Sequence, residues 1–226
     1  MIVIALPQVR LLGAVDYQTT LENMRAFTDA RTLVTPDEYW VLEHLPTFTL
    51  GQRGRIEHVL DAGDIPVVAT DRGGQVTYHG PGQLVVYLLL DLRRAGLNVR
   101  TLVCGIEQAL IELLADYNVI GSRQDGAPGV YVGAAKVAAL GLRVRKGRSF
   151  HGLALNIDMD LEPFGRINPC GFSGLEVTDL RRLGVKAPAT EIATRLVANL
   201  HGAFGFAESG NSGEGVMKSI DGLQGR

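Results

Sequence analysis

GVYVGAAKVAALGLRVRKGRSFHGLALNI, residues 129–157, sets the fold class. Within it Gly129 to Val132, Lys136 to Val144 and His151 to Ile157 alternate with the period of two that a half-buried strand imposes. Lys146-Gly147 separates the second run from the third, and glycine there supplies the positive φ of a tight hairpin turn. Three strands thus follow one another while helical patterns lie on either side, which predicts a mixed α+β domain.

Upstream, Leu102 to Tyr117 repeats apolar residues at helical spacing (Leu102, Ile106, Ala109, Leu110, Leu113, Leu114) and is expected to be the main buried helix. Leu84 to Leu92 is almost continuously apolar, as a strand covered on both faces requires. Val67 to Thr70 reads as another strand, and Tyr39 to Gly51, rich in β-branched and aromatic residues, as a strand bent at Pro46. Leu21, Met24 and Phe27 recur behind Asp16, a candidate N-cap, and predict a helix over 17–31 that Thr35-Pro36-Asp37 breaks off. Ile2 to Leu6 reads as a first strand. Downstream, Ile192, Leu196 and Leu200 share one face of a helix over Thr190 to Phe204. From Ala207 onward ESGNSGEG and its sequel show no periodic apolar face, so one domain is expected over 1–206 and a disordered tail over 207–226.

The 226 residues are 46% hydrophobic and 20% charged, well clear of compositions that cannot bury a core. A net charge of −2 gives no whole-molecule field toward nucleic acid or an anionic membrane. The longest apolar run, Leu84 to Leu90, is too short to cross a bilayer, and the N-terminus lacks the basic leader of a secretory signal. Two cysteines exclude a disulfide scaffold and suit a reducing compartment, so a cytoplasmic protein is expected. Glycine is the outlier, at 28 of 226 residues against a usual share of roughly 7%. Either loops abound or backbone passes close to something.

Chemistry concentrates in RGGQVTYHGPGQ, Arg72 to Gln83, where four glycines accompany Arg72, Tyr78 and His79 between two apolar strands. It is either a ligand-contacting loop or a long ordered turn whose polar groups satisfy one another; the Walker spacing of a phosphate-binding loop is absent. Cys170, in INPCGFSG, has Pro169 on one side and Gly171 on the other, which suits a reachable thiolate as well as a merely exposed thiol. Cys104, within LVCGIEQAL, is expected in the core. A nucleophilic cysteine needs a partner, and Lys136, set among small and apolar residues, is either that partner or an ordinary solvent-facing strand lysine. His79 and His151 are the other candidate bases. The five histidines and two cysteines do not pair at metal-ligand spacing, so no metal site is expected. RVRKGR, Arg143 to Arg148, is either a solvated hairpin or a dock for an acidic partner.

Taken together, RGGQVTYHGPGQ, the AKVAALGLRV block, SFHGLALNIDMDL and INPCG resemble the octanoyltransferases, also called lipoyl(octanoyl) transferases or lipoate-protein ligase B, over about residues 38–200. The resemblance implies an α+β fold shared with biotin and lipoate protein ligases, a mixed β-sheet flanked by helices. It implies transfer of an octanoyl group from octanoyl-acyl carrier protein to a lysine of lipoyl domains, those of 2-oxoacid dehydrogenase E2 subunits and the glycine cleavage H protein. The family's acyl-accepting cysteine falls on Cys170 and its acid/base lysine on Lys136, with His79 a possible third catalytic group. The acyl pocket would be lined by Arg72, Gly73, Gly74, Gln75, Val76, Thr77, Tyr78 and His79, by Ala139, Leu140 and Gly141, and by Gly152, Leu153 and Ala154. One thioester replaces another and an amide follows downhill, so no ATP, metal or other cofactor is implied. An ATP-dependent lipoate or biotin ligase on the same fold is the alternative. Gly73 and Gly152 are expected to leave room for the acyl chain, so that valine at either blocks acylation with the fold intact.

Overall fold

Lys146 and Gly147 do make the hairpin turn, with φ of 53° and 79°, the paired positive values of a type I′ turn. In the computed structural model, which describes residues 5–168 and 174–206, this turn joins the two longest strands. The chain runs β1 (Gln8–Val15), α1 (Tyr17–Ala30), β2 (Glu38–His44), β3 (Thr47–Leu50), β4 (Val67–Ala69), β5 (Val76–His79), β6 (Gln83–Leu89), α2 (Val99–Asp116), β7 (Gly129–Val132), β8 (Ala135–Arg145), β9 (Arg148–Asn156) and α3 (Ala189–Phe204). Short 3-10 turns lie at Ile56–His58 and Glu162–Arg166.

Among the described residues the strands form two sheets. The larger has the order β1-β2-β6-β9-β8-β7 and the smaller β4-β3-β5. In the larger sheet only β1 and β2 pair in parallel, and the smaller is likewise mixed, so the expected α+β class with a helix-flanked mixed sheet is what is found. α2 and α3 cover one face over Val86, Leu88, Ile106, Leu110 and Leu196. α1 covers the other through Tyr17, Leu21 and Met24, packed on Trp40, Val85, Tyr87 and Phe150. β6 is therefore apolar on both sides, as its apolar run from Leu84 to Leu89 requires. A third core, Phe48, Val76, Tyr78, Phe164 and Ile167, lies under the smaller sheet.

The helix ends follow local chemistry. Asp16 caps α1 by accepting from Thr19 N–H at 2.8 Å. Asn98 and Thr101 form a reciprocal capping box on α2. Two expectations need correction. The strand expected over Ile2–Leu6 falls largely outside the description, which begins at residue 5; the first described strand is Gln8–Val15, paired with β2 from Gln8↔Glu38. Pro46 does not bend one strand but moves the chain from β2 in one sheet to β3 in the other. RGGQVTYHGPGQ is not all loop, since Val76–His79 is a strand antiparallel to β3. The expected tail, 207–226, also lies outside the described residues.

Candidate active site

On the α1 face of the larger sheet, register aligns small side chains across three strands. Val85, Ala154 and Ala139 are neighbours on β6, β9 and β8, and Tyr87, Gly152 and Gly141 make the next row. Alanine or glycine at four of these six positions leaves a trough between β6 and β8. Its wall is the Arg72–His79 segment, and Tyr17 of α1, Lys136 and His151 complete the lining.

Arg72 ties the wall to the smaller sheet. Its buried guanidinium donates to Thr49 Oγ1, Thr49 O, Gly73 O and Gln75 O at 2.8–3.2 Å, so it organises backbone on both sides of itself. Gly73 N–H donates to Leu142 O of β8 at 2.9 Å, which fastens the segment along the floor. Glycine at 141 makes room for this, because a Cβ there would sit tightly, 3.0 Å from Arg72 Cδ and 3.1 Å from Gly73 O.

Three histidines and two tyrosines pack around the trough. His44 donates from Nδ1 to Val15 O at 3.0 Å, which leaves Nε2 to accept from the Tyr87 hydroxyl at 2.6 Å. Burial pushes its pKa down to about 4. His79 stacks on Tyr17, with centroids 5.6 Å apart, and meets Gln83 Oε1 through Nδ1 at 2.7 Å. Burial, with His44 and Arg72 as neighbours, holds His79 well below its ordinary range. His151 meets Asp71 at 3.0 Å, and burial lowers its pKa against the pull of that carboxylate. Burial alone would raise Asp71, yet the hydrogen bonds from His151 and Arg25 keep it well below the usual carboxylate range. His151 also has φ of 60°, rare for a non-glycine residue, and its ring stacks on Phe150 at 5.0 Å. Adjacent strand residues normally point to opposite faces, so the left-handed turn is what brings both rings to the α1 side.

Lys136 is buried, donates from Nζ to Pro128 O at 3.2 Å and lies over the Tyr131 ring at 5.1 Å. The solvent-facing alternative for this lysine is thus excluded. Its backbone is bracketed by the returning chain: Lys136 N–H donates to Glu176 O at 2.8 Å and Thr178 N–H to Lys136 O at 3.0 Å. Cys170 lies outside the described residues; the chain before it reaches Asn168 and resumes at Gly174.

The structure therefore gathers Arg72, Gly74, Gln75, Val76, Thr77, His79, Lys136, Ala139, Leu140, Gly141, Gly152, Leu153 and Ala154 around one cavity. Gly73 lies behind the lining, and Tyr78 points the other way, against Phe48 and Phe164 in the third core. Tyr17, Val85, Tyr87 and His151 join the lining as well. The first three are residue types that mark core as readily as site, and only the strand register reveals them. Cys104 is exposed, not core: the buried stripe of α2 runs through Leu102, Ile106, Leu110 and Leu113, and position 104 is about 200° around the helix from 102. In the basic hairpin Arg145 pairs with Asp29 and Arg148 with Asp91, while Lys146 is exposed at the turn. Among the described residues no cluster suited to a metal ion occurs, and no helix is long and apolar enough to cross a membrane.

Known proteins match the chain over most of its length. The family described as the lipoyl protein ligase A/B catalytic domain matches residues 16–201. An octanoyltransferase of Alkalilimnicola ehrlichii is 58% identical over 206 residues, 91% of this chain and 95% of the relative. One from Xylella fastidiosa is 58% identical over 205 residues, 91% and 90% of the two chains. Among solved structures, lipoate-protein ligase A bound with ATP superposes with a TM-score of 0.75 at 14% identity, covering 95% of this chain and 92% of the other. The biotin protein ligase from Aquifex aeolicus, in complex with biotin and ATP, gives 0.56 at 14% identity over 88% and 70%. At that identity the likeness is one of fold.

Proposed function

The chain belongs to the lipoyl protein ligase A/B catalytic-domain family, and we propose that it transfers an octanoyl group from the thioester of an acyl carrier protein to a lysine of a lipoyl domain, by way of a thioester on Cys170. The observation that carries octanoyl transfer is the 58% identity to octanoyltransferases over nine-tenths of the chain. The geometry supports it with a trough floored by alanine and glycine, and with Lys136 in its lining. Burying about seven methylenes there is worth at most about 5 to 6 kcal/mol, enough to select chain length coarsely.

In the first half-reaction the Cys170 thiolate attacks the octanoyl carbonyl; the new C–S bond forms as the bond to the carrier sulfur breaks, and Lys136 supplies the carrier thiolate with a proton. In the second, the acceptor lysine amine attacks the Cys170 thioester. The amide forms, the Cys170 thiolate leaves, and the proton lost by the amine returns to Lys136. No nucleotide enters either step. Chain length favours the pairing, since six residues separate Cys170 from Glu176, which is hydrogen-bonded to Lys136, and six residues span at most about 20 Å.

Intact mass spectrometry after mixing with octanoyl carrier protein, without ATP, tests this reading. The expected result is an octanoyl adduct that a lipoyl domain discharges; product formed only with ATP, and no adduct, would favour a ligase. Lys136→Met keeps most of the side chain's length and removes its amine. It is expected to slow octanoyl transfer by about 10²- to 10⁴-fold, and near-normal single-turnover rates would remove Lys136 from the proton path.

The carrier is proposed to dock on the basic hairpin. Arg143 lies two residues beyond Gly141 in the trough floor, and Lys146 is exposed at the turn. Arg143→Glu with Lys146→Glu is expected to raise KM for carrier-bound octanoyl about tenfold at low salt while the Cys170 adduct still forms. An unchanged KM would rule out this surface.

A further inference from the structure

Two buried amides beside the trough have no part in the mechanism above. Gln83 is 2% exposed and Asn156 4%. The direction of every hydrogen bond between them is fixed from one end. Thr178 O can only accept, so the Asn156 atom 2.9 Å from it is Nδ2. Asn156 Oδ1 then accepts from Gln83 Nε2 at 2.9 Å, and the same nitrogen donates to Tyr78 O at 3.2 Å. Gln83 Oε1 is left facing His79 Nδ1 at 2.7 Å, and an amide oxygen only accepts. His79 Nδ1 therefore carries the hydrogen. The ring is held neutral by its burial, so Nε2 is a lone pair on a ring that lines the trough.

The other end of the relay reaches Lys136. Thr178, whose carbonyl Asn156 holds, donates its N–H to Lys136 O at 3.0 Å. Val177 bridges Lys136 in parallel, and this segment follows the candidate nucleophile in the chain. One relay of three side chains, His79, Gln83 and Asn156, and the Thr178 backbone thus spans from the pocket wall to the strand that carries the acid/base lysine.

We propose that Gln83 and Asn156 are positioning residues for acyl transfer. Gln83 fixes His79 as the Nδ1–H tautomer, so that Nε2 accepts from an N–H or O–H donor entering the trough. Asn156 holds Thr178, and with it residues 176–178, against Lys136 and so fixes the backbone that carries the acid/base lysine. The second role rests on the acyl-transfer reading; the first is independent of it.

Nitrogen-15 NMR of the histidine rings in the intact protein reads the tautomer directly. The parent is expected to show His79 protonated at Nδ1 and unprotonated at Nε2. Gln83→Glu keeps an acceptor and is expected to retain that signature, whereas Gln83→Leu is expected to lose it. A parent signal with the hydrogen on Nε2, or an unchanged signal in Gln83→Leu, overturns the assignment. Asn156→Asp keeps the acceptor for Gln83 but cannot donate to Thr178 O. It is expected to leave the His79 signature in place and to lower kcat for octanoyl transfer about 10- to 100-fold with KM within about twofold. An unaltered kcat overturns the clamp. If the parent itself forms no octanoyl adduct, the acyl-transfer reading fails instead, and the NMR result still decides the tautomer.

Discussion

Cys170→Ser is expected to leave no octanoyl adduct on the protein after incubation with octanoyl carrier protein, and to reduce transfer to a lipoyl domain by about three orders of magnitude or more. The size of the effect follows from the chemistry proposed. Without the thiolate the two half-reactions lose their shared intermediate, and a serine hydroxyl is a far weaker nucleophile than a thiolate at neutral pH. What remains is the trough, which still binds the acyl chain and aligns it. The variant should therefore retain octanoyl binding, measurable as protection of the carrier thioester in an equilibrium mixture. Activity above about a tenth of the parent would mean that the acyl group passes directly from carrier to acceptor, with Lys136 acting alone.

Gly152→Val is expected to fail in a different way. The sequence suggests that glycine at 152 leaves space for a ligand, but a Cβ there would lie 2.0 Å from Val86 O, 2.8 Å from Leu88 Cδ1 and 3.1 Å from Tyr87 Cα. The nearest obstacle is the backbone of the adjacent central strand, which no rotamer change moves. Valine would part β6 from β9 in the middle of the larger sheet, at about 3 kcal/mol or more. For a chain of this size that lowers the melting temperature by roughly 6 to 12 °C, and thermal unfolding would show it. Melting within about 2 °C of the parent would show that the strands yield easily. Gly73 is not equivalent: a Cβ there meets only Leu142 O, at 3.3 Å. Of the two glycines, only Gly73 fits the expectation of a substitution that spares the fold.

Periodicity exposed most of the elements, because long amphipathic runs such as Leu102 to Leu114 and Gly129 to Ile157 leave little choice of conformation. It did not expose their grouping. Nothing local in Leu45-Pro46-Thr47 says that the strands on either side join different sheets; that depends on pairing with residues 26 to 51 positions away. β5 was hidden for a related reason, as four strand residues between glycines look like loop until β3 supplies partners. In the site, Lys136 and His79 stood out because charge and titratable groups among apolar neighbours are unusual. Val85 and Tyr87 did not, since on a strand apolar on both faces the alternation gives no hint of which face holds a trough. Cys104 was misread from its neighbours in sequence, when its place on the helix wheel was what counted.

The division into two sheets bears on how the protein responds to its ligand. Floor and wall of the trough belong to separate apolar cores, one beneath α1 and one beneath the smaller sheet, and the hydrogen bond from Gly73 N–H to Leu142 O fastens one to the other. The trough is accordingly a seam and not a hole within either core. On the proposed reaction, an acyl chain laid along it would cover the apolar rim of both at once. Substrate would then act as a structural component, and the acylated protein would be the more cohesive form, because whatever binds the folded state alone also holds it folded.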